Sequence, residues 1–468
     1  MAIQMPRIVT AVLASLFVLV ATDASAISAW ARKYRTSCAT CHAPFPKLNH
    51  VGKAFRNNGY RFPAALEETA TKEPPVVMGA EGYKKLFPRA LWPSDIPGTI
   101  PLAVRGISRL NWFENDSPSS FEFPHEFEVL TGGTLGETFS FFGELEVENE
   151  NNENELEMVL ALQYDPRPWL HVRMGTLTPQ PVPDPLRLLA AHYSPYDTRT
   201  APGSLTLQAT NPNRSTATLS IGASTGEARW RLRDDQAGIQ IWGARNGPND
   251  TGGVTWAVGV VNGQGLVDAN TSKDLFARVA YKFGGYGELG GGEMPQDVEF
   301  WRDDSFKLGV FTYRGKSTNT YAGSTTALSG SAGSGIVTVS ADSTVANDFR
   351  LAGVEFDWWV HDLNLFGLYL RQSDDNPRGT GESIKTKAWF AEANYVFYPW
   401  LIGILRYGTT AQDFSVRADP VTQQFLIPAI TLVSRANVKF TVEGQLRLDD
   451  PGRAAKSNRY LVGIDFGF

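Results

Sequence analysis

The last ten residues of the chain, 459–468, alternate between two kinds of side chain with a period of two. One face carries Tyr460, Val462, Ile464, Phe466 and Phe468, and the other carries Leu461, Gly463, Asp465 and Gly467. Successive side chains of a β-strand point to opposite sides of the sheet, so the pattern predicts an amphipathic strand at the end of the chain.

The same alternation recurs near residue 150, in the stretches 139–148 and 155–164, which a polar turn separates. This pattern predicts a β-hairpin with one apolar face and one partly acidic face. The carboxylates of the acidic face are Glu144, Glu146, Glu148, Glu155 and Glu157.

Similar runs fill most of the chain after residue 96. About 370 residues divided among roughly sixteen strands gives about 23 per strand and connection, which suits strands of about ten residues that cross a bilayer. In lipid only a closed sheet satisfies every strand edge, so we predict a mostly β fold, an outer-membrane antiparallel β-barrel of about 16 strands, with 14 or 18 as alternatives. The further runs lie near 101–113, 169–177, 215–223, 236–244, 254–261, 274–283, 305–314, 348–360, 363–372, 387–397, 400–411 and 432–448.

Two long connections interrupt these runs. The stretch 315–346 is rich in Ser, Thr and Gly and predicts a flexible loop on the outer side. The proline-rich stretch 178–202 contains a short helical pattern, 186–193, which either folds into the lumen or lies in an outward surface loop.

The first 26 residues have the features of a signal peptide. Arg7 precedes the apolar stretch 8–20, and Ala24-Ser25-Ala26 is a small-x-small cleavage site. About thirteen apolar residues are too few for a spanning helix, which needs about twenty. We therefore expect an exported chain that begins near Ile27.

The formal net charge of -6 hides an asymmetry. Residues 27–95 hold 11 Lys+Arg and 5 Asp+Glu, net +6, whereas residues 96–468 hold 31 and 43, net -12. The mature chain therefore divides into a small basic domain, 27–95, and a large acidic barrel, 96–468, and their opposite charges favour docking of one on the other. An acidic barrel does not favour nucleic acid as a partner.

The small domain contains a short helical pattern between Lys47 and Tyr60, with Asn58-Gly59 as its stop signal. Its apolar residues either cover a porphyrin face or pack a small core. The apolar candidates are Phe45, Leu48 and Phe55, and the basic candidates for binding propionates are Lys47, Lys53 and Arg56.

Both cysteines of the chain lie in the motif Cys38-Ala39-Thr40-Cys41-His42. Two thiols three positions apart can form thioethers with the two vinyl groups of one haem, and the adjoining histidine can coordinate its iron. The alternatives are a redox dithiol, which needs no histidine, half of a zinc site, for which the nearest further ligand is His50, and a disulfide. The motif predicts one covalent haem c, attached at Cys38 and Cys41 with His42 as axial ligand.

The second axial ligand of the haem iron has several candidates. Met78 lies 36 residues after His42, within reach of a loop that folds back over the haem, and a methionine ligand raises the reduction potential. Met78 is the first candidate, although a lone methionine also serves as packing. His50 is the main rival, followed by an open sixth position.

The stretch 31–60, ARKYRTSCATCHAPFPKLNHVGKAFRNNGY, joins an aromatic and basic lead-in to CxxCH, FPxLN and NGY. With the terminal aromatic strand it resembles the fused monohaem cytochrome c–porin family of bacterial outer membranes, whose best-known members oxidise ferrous iron. The resemblance implies a small α-helical cytochrome c domain docked at or inside the barrel. It also implies electron flow from an extracellular donor to a periplasmic carrier.

On this interpretation the chain is an electron-transfer cytochrome that takes single electrons from Fe(II), which the acidic face near residue 150 concentrates through transient carboxylate contacts. One alternative is a conduit for a different extracellular donor or acceptor, such as a mineral, quinone or cytochrome. Another is a diffusion porin whose haem-bearing domain is a plug. A soluble haem enzyme would need distal acid-base groups that the sequence does not place, so we predict no catalytic residues.

Overall fold

A computed structural model describes most of the chain. The signal peptide predicted for 1–26 and the proline-rich stretch 178–202 lie outside the described residues. Those residues are 29–43, 47–63, 66–67, 70–98, 100–113, 119–150, 153–177, 208–210, 218–220, 236–263, 270–291, 299–321, 325–330, 333–338, 343–376, 381, 383–415, 421–448 and 458–468.

Sixteen antiparallel strands of the described residues close into one barrel, which confirms the predicted fold class and strand number. Barrel neighbours follow one another along the chain, and the ring closes where the last strand pairs with the first. The strands are β1 (Leu102–Phe113), β2 (Ser120–Leu135), β3 (Phe139–Glu150), β4 (Glu153–Arg167), β5 (Leu170–Leu177), β6 (Gln236–Asn246), β7 (Thr251–Val261), β8 (Asp274–Tyr286), β9 (Ser305–Tyr321), β10 (Ser343–Val360), β11 (Leu363–Asp374), β12 (Ile384–Tyr398), β13 (Leu401–Phe414), β14 (Val421–Arg435), β15 (Val438–Arg447) and β16 (Arg459–Gly467).

The outer face of the barrel is apolar. On β4, Leu156, Met158 and Leu160 are 69%, 58% and 57% exposed, whereas Gln163 on the inner face is buried. An exposed apolar belt of this kind is the surface that a barrel presents to lipid. Exposed aromatic side chains lie near the end where short turns join the strands, here called the turn end: Trp169, Phe283, Phe306, Trp358, Tyr395, Phe397, Tyr398, Trp400 and Phe468.

The inner face carries both ion pairs and an apolar cluster. Arg105 of β1 bonds to Glu128 at 2.7 Å and to Asp465 at 2.9 Å, and all three side chains are buried. The predicted acidic face of the hairpin formed by β3 and β4 therefore belongs to a charged inner wall. The apolar cluster on the inner face of the strands from β8 to β12 includes Phe276, Phe311, Tyr313, Phe349, Leu351, Leu368, Leu370 and Phe390.

The sequence prediction missed β2 and the first part of β14. Each strand contains a proline, Pro124 or Pro428, and proline normally argues against a strand inside a sheet. In β2 the alternation also breaks, because His125 and Glu126 are adjacent and both buried. The strand 421–435 is separate from 438–447, whereas the sequence suggested one run from 432 to 448.

Two further predictions were wrong. The stretch 315–346 is not one loop, because β9 and β10 extend into it and pair as far as Tyr321 with Ser343. Its tip contains a second pair of strands, 325–330 and 333–338. Thr, Ser and Val favour extended strands when a partner strand lies alongside, which explains the difference. Of the run near 215–223, the structure describes 218–220, which pairs with 208–210 in a separate two-stranded sheet and not with a strand of the barrel.

Three short α-helices within the described residues precede the barrel: α1 (Ala29–Tyr34), α2 (His50–Asn57) and α3 (Glu81–Leu86). The helix predicted from Lys47 begins later, because the side chain of Asn49 accepts a hydrogen bond from the amide of Gly52 at 2.9 Å and caps it. It ends at the predicted stop, where Gly59 has a φ of 71°. None of the helices in the described residues is long and apolar enough to span a membrane.

The described residues between 29 and 98 are called the N-terminal segment below. Its small core consists of Tyr34, Val51, Phe55 and Phe62, with Trp30 stacked on Tyr60 beside it. Phe55 is therefore a core residue of the segment, the second of the two roles that the sequence suggested. Phe45 lies outside the described residues.

Candidate functional site

The two cysteines and the histidine of the motif lie on one tight turn. Residues 38–40 form a single turn of 3-10 helix, which the side chain of Ser37 caps. The amides of Cys41 and His42 both donate to the carbonyl oxygen of Cys38, at 3.1 and 2.9 Å. His42 then pairs with Leu48 across a short antiparallel bridge. The turn therefore fixes Cys38, Cys41 and His42 in one small region.

The two thiols are not joined by a disulfide. Burial, together with the nearby Cys38, raises the pKa of the Cys41 thiol to about 12, and burial also raises the pKa of Cys38.

The helix α2 packs directly against this turn. The amide of Asn49 donates to the carbonyl oxygen of Cys41 at 2.9 Å, and its side-chain amide lies 3.2 Å from the carbonyl oxygens of Ala39 and Thr40. A Cβ at Gly52 would lie 2.1 Å from the Cys41 carbonyl oxygen. Only glycine allows this approach, so α2 and the motif form one rigid unit.

His50 lies on a different face of α2 from Gly52, because residues two apart on a helix are about 200° apart around its axis. Its ring contacts Tyr286 of the barrel wall edge-on, with centroids 5.2 Å apart, and among the described residues its Nδ1 has no hydrogen-bond partner. Burial is the main reason that the pKa of His50 is lowered to about 4. The structure thus places His50 against the wall of the barrel.

Met78 lies in the loop that the backbone pairing of Val76 with Ile96 closes. Its amide donates to Oδ1 of Asp95 at 3.2 Å, and its side chain is half-buried. The role of Met78 as second axial ligand stays a prediction.

A covalent haem c fits the donor set of this region. The two thiols are free and lie on one turn, and His42 follows directly. Cys38 and Cys41 would hold such a haem, and His42 would bind its iron. When bound, the group would accept and release single electrons.

Two of the regions where the N-terminal segment contacts the barrel lie near the turn end. The first, called the lysine seat, consists of Lys47 and Lys53 with their partners on β10 and β11. Lys53 forms an ion pair with Asp357 at 2.9 Å, and Lys47 donates to Asn364. The Lys47 ammonium also lies over the ring of Trp359, which packs on Ala43 beside the motif. Both lysines therefore bind the barrel, and a contact of either with haem propionates stays a prediction.

The second place, called the docking loop, consists of residues 57–61. Its Asn57 side chain donates to the carbonyl oxygen and Oε2 of Glu288, at 2.8 and 3.1 Å. Arg61 donates to the carbonyl oxygens of Gly136 and Phe139, at 3.0 and 2.8 Å. A Cβ at Gly59 would lie 2.7 Å from the carboxyl carbon of Asp165. The docking loop therefore binds through two side chains that donate to the barrel, mainly to its backbone carbonyl oxygens, and through the close fit of Gly59.

Three carboxylates of the inner wall lie close together and are called the carboxylate cluster. Each of Glu126, Glu128 and Glu146 offers an oxygen within 4.8 Å of the other two, and all three side chains are buried. Arg105 neutralises part of this charge through Glu128. Of the predicted acidic face, the structure brings Glu146 into the cluster, with Glu148 close by on the same inner face.

Sequence reasoning missed Glu126 and Glu128, because β2 was not recognised as a strand. It also missed Asp165 and His171, which bind the docking loop from more than 100 residues away. The alternation of Glu126 and Glu128 with Phe127 and Val129 was the local signal for the first pair. Asp165 and His171 had no such local signal.

No protein-family model and no curated protein sequence matches the chain. The chain is similar to OmpTdeltaL8, a loop L8 deletion mutant of an outer membrane protein of Vibrio cholerae, with 10% identity over 79% of this chain and 99% of that chain and a TM-score of 0.47. It is also similar to an anion-selective porin from Comamonas acidovorans, with 13% identity, 78% and 99% coverage and a TM-score of 0.46. Salmonella typhi OmpF in complex with daunomycin gives 13% identity, 78% and 97% coverage and a TM-score of 0.45.

Proposed function

We propose that this protein is a cytochrome c–porin fusion of a bacterial outer membrane that carries single electrons between an extracellular donor and a periplasmic carrier. The observation that carries the proposal is the turn with free Cys38 and Cys41 and the adjoining His42, on a segment bound to the inner wall of a lipid-facing barrel. The haem c would be covalent, so it would stay with the protein through the redox cycle.

The protein's own residues would hold this group at a fixed place in the barrel. The helix α2 supports the turn through Asn49 and Gly52, and the lysine seat binds the same helix to β10 and β11. Electron transfer depends steeply on position, so a fixed segment serves a relay better than a tethered one. Met78 would supply the second axial ligand.

Fe(II) is the donor that we propose, with the carboxylate cluster as its transient site. Hard carboxylate oxygens bind ferrous iron without holding it tightly, so they suit a transient binding site for the substrate. Each turnover would take one electron from one Fe(II). A wall without negative charge would not attract a cation in this way. The carboxylate cluster therefore gives a physical reason for a cationic donor.

The first experiment tests for the haem itself. The full chain, matured in a host that ligates haem c, should keep peroxidase-active haem on a denaturing gel, whereas Cys38→Ala with Cys41→Ala should lose it. Ser37→Ala is the matched control beside the motif. Haem that washes off the unaltered protein would contradict the proposal. Ligand-field spectra of Met78→Leu would then test the second axial position.

The second experiment tests the donor. Fe(II) added to the oxidised protein in lipid vesicles should give the reduced haem spectrum, and Glu128→Gln with Glu146→Gln should slow this reduction by about threefold or more. Glu137→Gln, an exposed carboxylate at the turn end, should not. If Fe(II) produces no spectral change but another reductant does, the conduit serves a different donor.

The second candidate function is a diffusion porin with a haem-bearing plug, and the porin-like barrel favours it. Single-channel conductance in planar bilayers distinguishes the two. Conductance like that of an open porin, unaffected by the haem redox state, would support this second candidate. Fast haem reduction in a protein that conducts little would support the first.

A further inference from the structure

The chain crosses from one side of the barrel wall to the other between α1 and β1. A Cβ at Gly132 of β2 would lie 2.8 Å from the ring of Trp30. A Cβ at Gly133, the next residue, would lie 2.9 Å from Cγ of Pro97. Neighbouring residues of a strand face opposite sides of the sheet. Trp30 and Pro97 therefore pack on opposite sides of the same wall.

Pro97 is on the lipid-facing side. Gly133 follows Phe127 in β2, and the pairing of β2 with β3 has no irregularity between these two residues. Because both numbers are odd, the two residues share a face. Phe127 is exposed on the apolar outer face, whereas Glu128 on the other face is buried. The chain thus passes over the rim of the barrel at the turn end and meets the outside of the wall.

The residues that precede this crossing form a closed loop, 76–96, which is called the rim loop below. The backbones of Val76 and Ile96 pair at its base. The carbonyl oxygen of Asp95 accepts a hydrogen bond at 2.9 Å from the amide of Gly136, which lies in the turn between β2 and β3. The rim loop is therefore fixed to the turn end, next to the outer face of the barrel.

The rim loop presents large apolar side chains on its surface. Leu91 is fully exposed, at 101%, and Leu86 is 72% exposed. Tyr83 and Leu86 are three positions apart in α3, a spacing that places them on one face of the helix. An exposed apolar patch marks a surface that contacts a partner or a membrane. The exposed apolar side chains of the loop are Val77, Tyr83, Leu86, Phe87 and Leu91.

Basic side chains lie between these apolar ones. Lys85 and Arg89 are exposed, while Lys84 forms an ion pair with Glu81 at 3.2 Å. The other carboxylate of the loop, Asp95, accepts a backbone hydrogen bond at its base. The exposed surface of the loop is therefore apolar and positively charged. Segments of this composition bind in the headgroup layer of an anionic bilayer.

We infer that the rim loop inserts into the phospholipid headgroup layer at the turn end of the barrel. Its apolar side chains reach the upper part of the acyl chains, and Lys85 and Arg89 contact headgroup phosphates. The position of Pro97 supports a bilayer over a soluble protein as the occupant, because the bilayer covers the outer face on which Pro97 packs. The apolar surface of the loop then continues the apolar belt of the barrel. This inference does not depend on the haem or on the electron donor.

The first test identifies what the rim loop touches. The full chain carries the photo-crosslinking residue p-benzoylphenylalanine in place of Leu91 and is illuminated in the outer membrane of a bacterial host. We expect phospholipid adducts by mass spectrometry. The same substitution of Arg435, exposed at the end of β14 next to its turn into β15, is the control and should give at least fivefold fewer. Adducts of position 91 with a protein and none with phospholipid would overturn the inference.

The second test measures binding by amide exchange of residues 82–91, expressed as protection factors. Protection in nanodiscs that contain anionic phospholipid should exceed protection in lipid-free amphipol about tenfold or more. Lys85→Gln with Arg89→Gln should remove most of the difference between anionic and zwitterionic nanodiscs, since each basic side chain near an anionic surface contributes about fivefold. Lys385→Gln with Lys387→Gln makes the same charge change at the opposite end of the barrel and should change nothing.

A third measurement removes the apolar contacts. Leu86→Ser with Leu91→Ser should lower the protection of residues 82–91 in both kinds of nanodisc. Both side chains are largely exposed, so the barrel should form without them, and heat-modifiable migration on a gel checks this. Unchanged protection in this variant, or equal protection of the unaltered protein in nanodiscs and in amphipol, would overturn the inference.

Discussion

The lysine seat and the docking loop hold the same segment against the barrel in different ways. At the lysine seat, two long side chains reach Asp357 and Asn364 and lie over aromatic rings. At the docking loop, the side chains of Asn57 and Arg61 donate to carbonyl oxygens of the barrel, and the backbone of Gly59 lies against Asp165. A long side chain can adjust its torsions to a small displacement, but the backbone at Gly59 cannot. The docking loop should therefore determine position and the lysine seat should add affinity.

The most severe test of this contrast is Gly59→Ala. The left-handed backbone at residue 59 costs a side chain roughly 1 to 2 kcal/mol, and crowding against Asp165 adds roughly 1 to 3 kcal/mol. We expect docking to weaken by about 3 kcal/mol, seen as about a hundredfold loss of amide protection in α2. Gly82→Ala is the control, because its added Cβ meets nothing within 4 Å. Equal effects of the two variants would contradict the contrast.

The next largest effect should come from Asp357→Asn. It leaves Lys53, whose side chain is 13% exposed, without its carboxylate, at a cost of about 2 to 3 kcal/mol. The double variant Asp357→Asn with Lys53→Met should recover most of this loss, since no buried charge is left unpaired. Urea titration of segment release, compared across the four members of the cycle, measures the coupling. If docking did not recover in the double variant, the ion pair itself would fix the position of the N-terminal segment.

Arg61→Lys should have a smaller effect. The planar guanidinium donates to the two carbonyl oxygens of Gly136 and Phe139 at once, and an ammonium does not reproduce that geometry. We expect a loss of about 1 kcal/mol in the same urea titration. At the lysine seat, Lys53→Arg should lose less docking free energy than Arg61→Lys. The reverse order would contradict the proposed difference between the two contact regions.

The smallest effect should come from Glu81→Gln. Glu81 pairs with Lys84 on the surface of α3 at 3.2 Å, and its side chain is 77% exposed. An exposed pair of this kind contributes about 0.3 kcal/mol. The melting temperature and the amide protection of α2 should both stay within error. A measurable loss of docking would show that α3 also binds the barrel.

The barrel could be predicted from the sequence because the alternation of apolar and polar side chains is a local signal. The faces of 139–148 and 460–468 followed from the period of two alone. The signal failed where a proline and two additional residues interrupted it in β2, since Ile107 pairs with Glu126 but Arg109 pairs with Glu122. The strand that holds Glu126 and Glu128 was lost for this reason.

The features of the site also divide into local ones, which could be predicted from the sequence, and long-range contacts, which could not. The turn with Cys38, Cys41 and His42 depends on residues next to one another, so its geometry could be read from the sequence. The stop at Gly59 was predicted from its helix-ending role, but its contact with Asp165 was not. That contact joins residues 106 positions apart, and no pattern within the segment encodes it.

Closure of the barrel sets an order on assembly. The N-terminal segment is made first, but its contact regions need β4, β5, β10 and β11, and Lys47 meets Asn364 only across 317 positions. The ring then closes through β16, where Arg105 binds Asp465 across 360 positions. The N-terminal segment can therefore dock only after these strands have formed, and it is enclosed last. A prosthetic group fixed to Cys38 and Cys41 would have to be attached before that enclosure, so the maturation of the segment would precede the completion of the barrel.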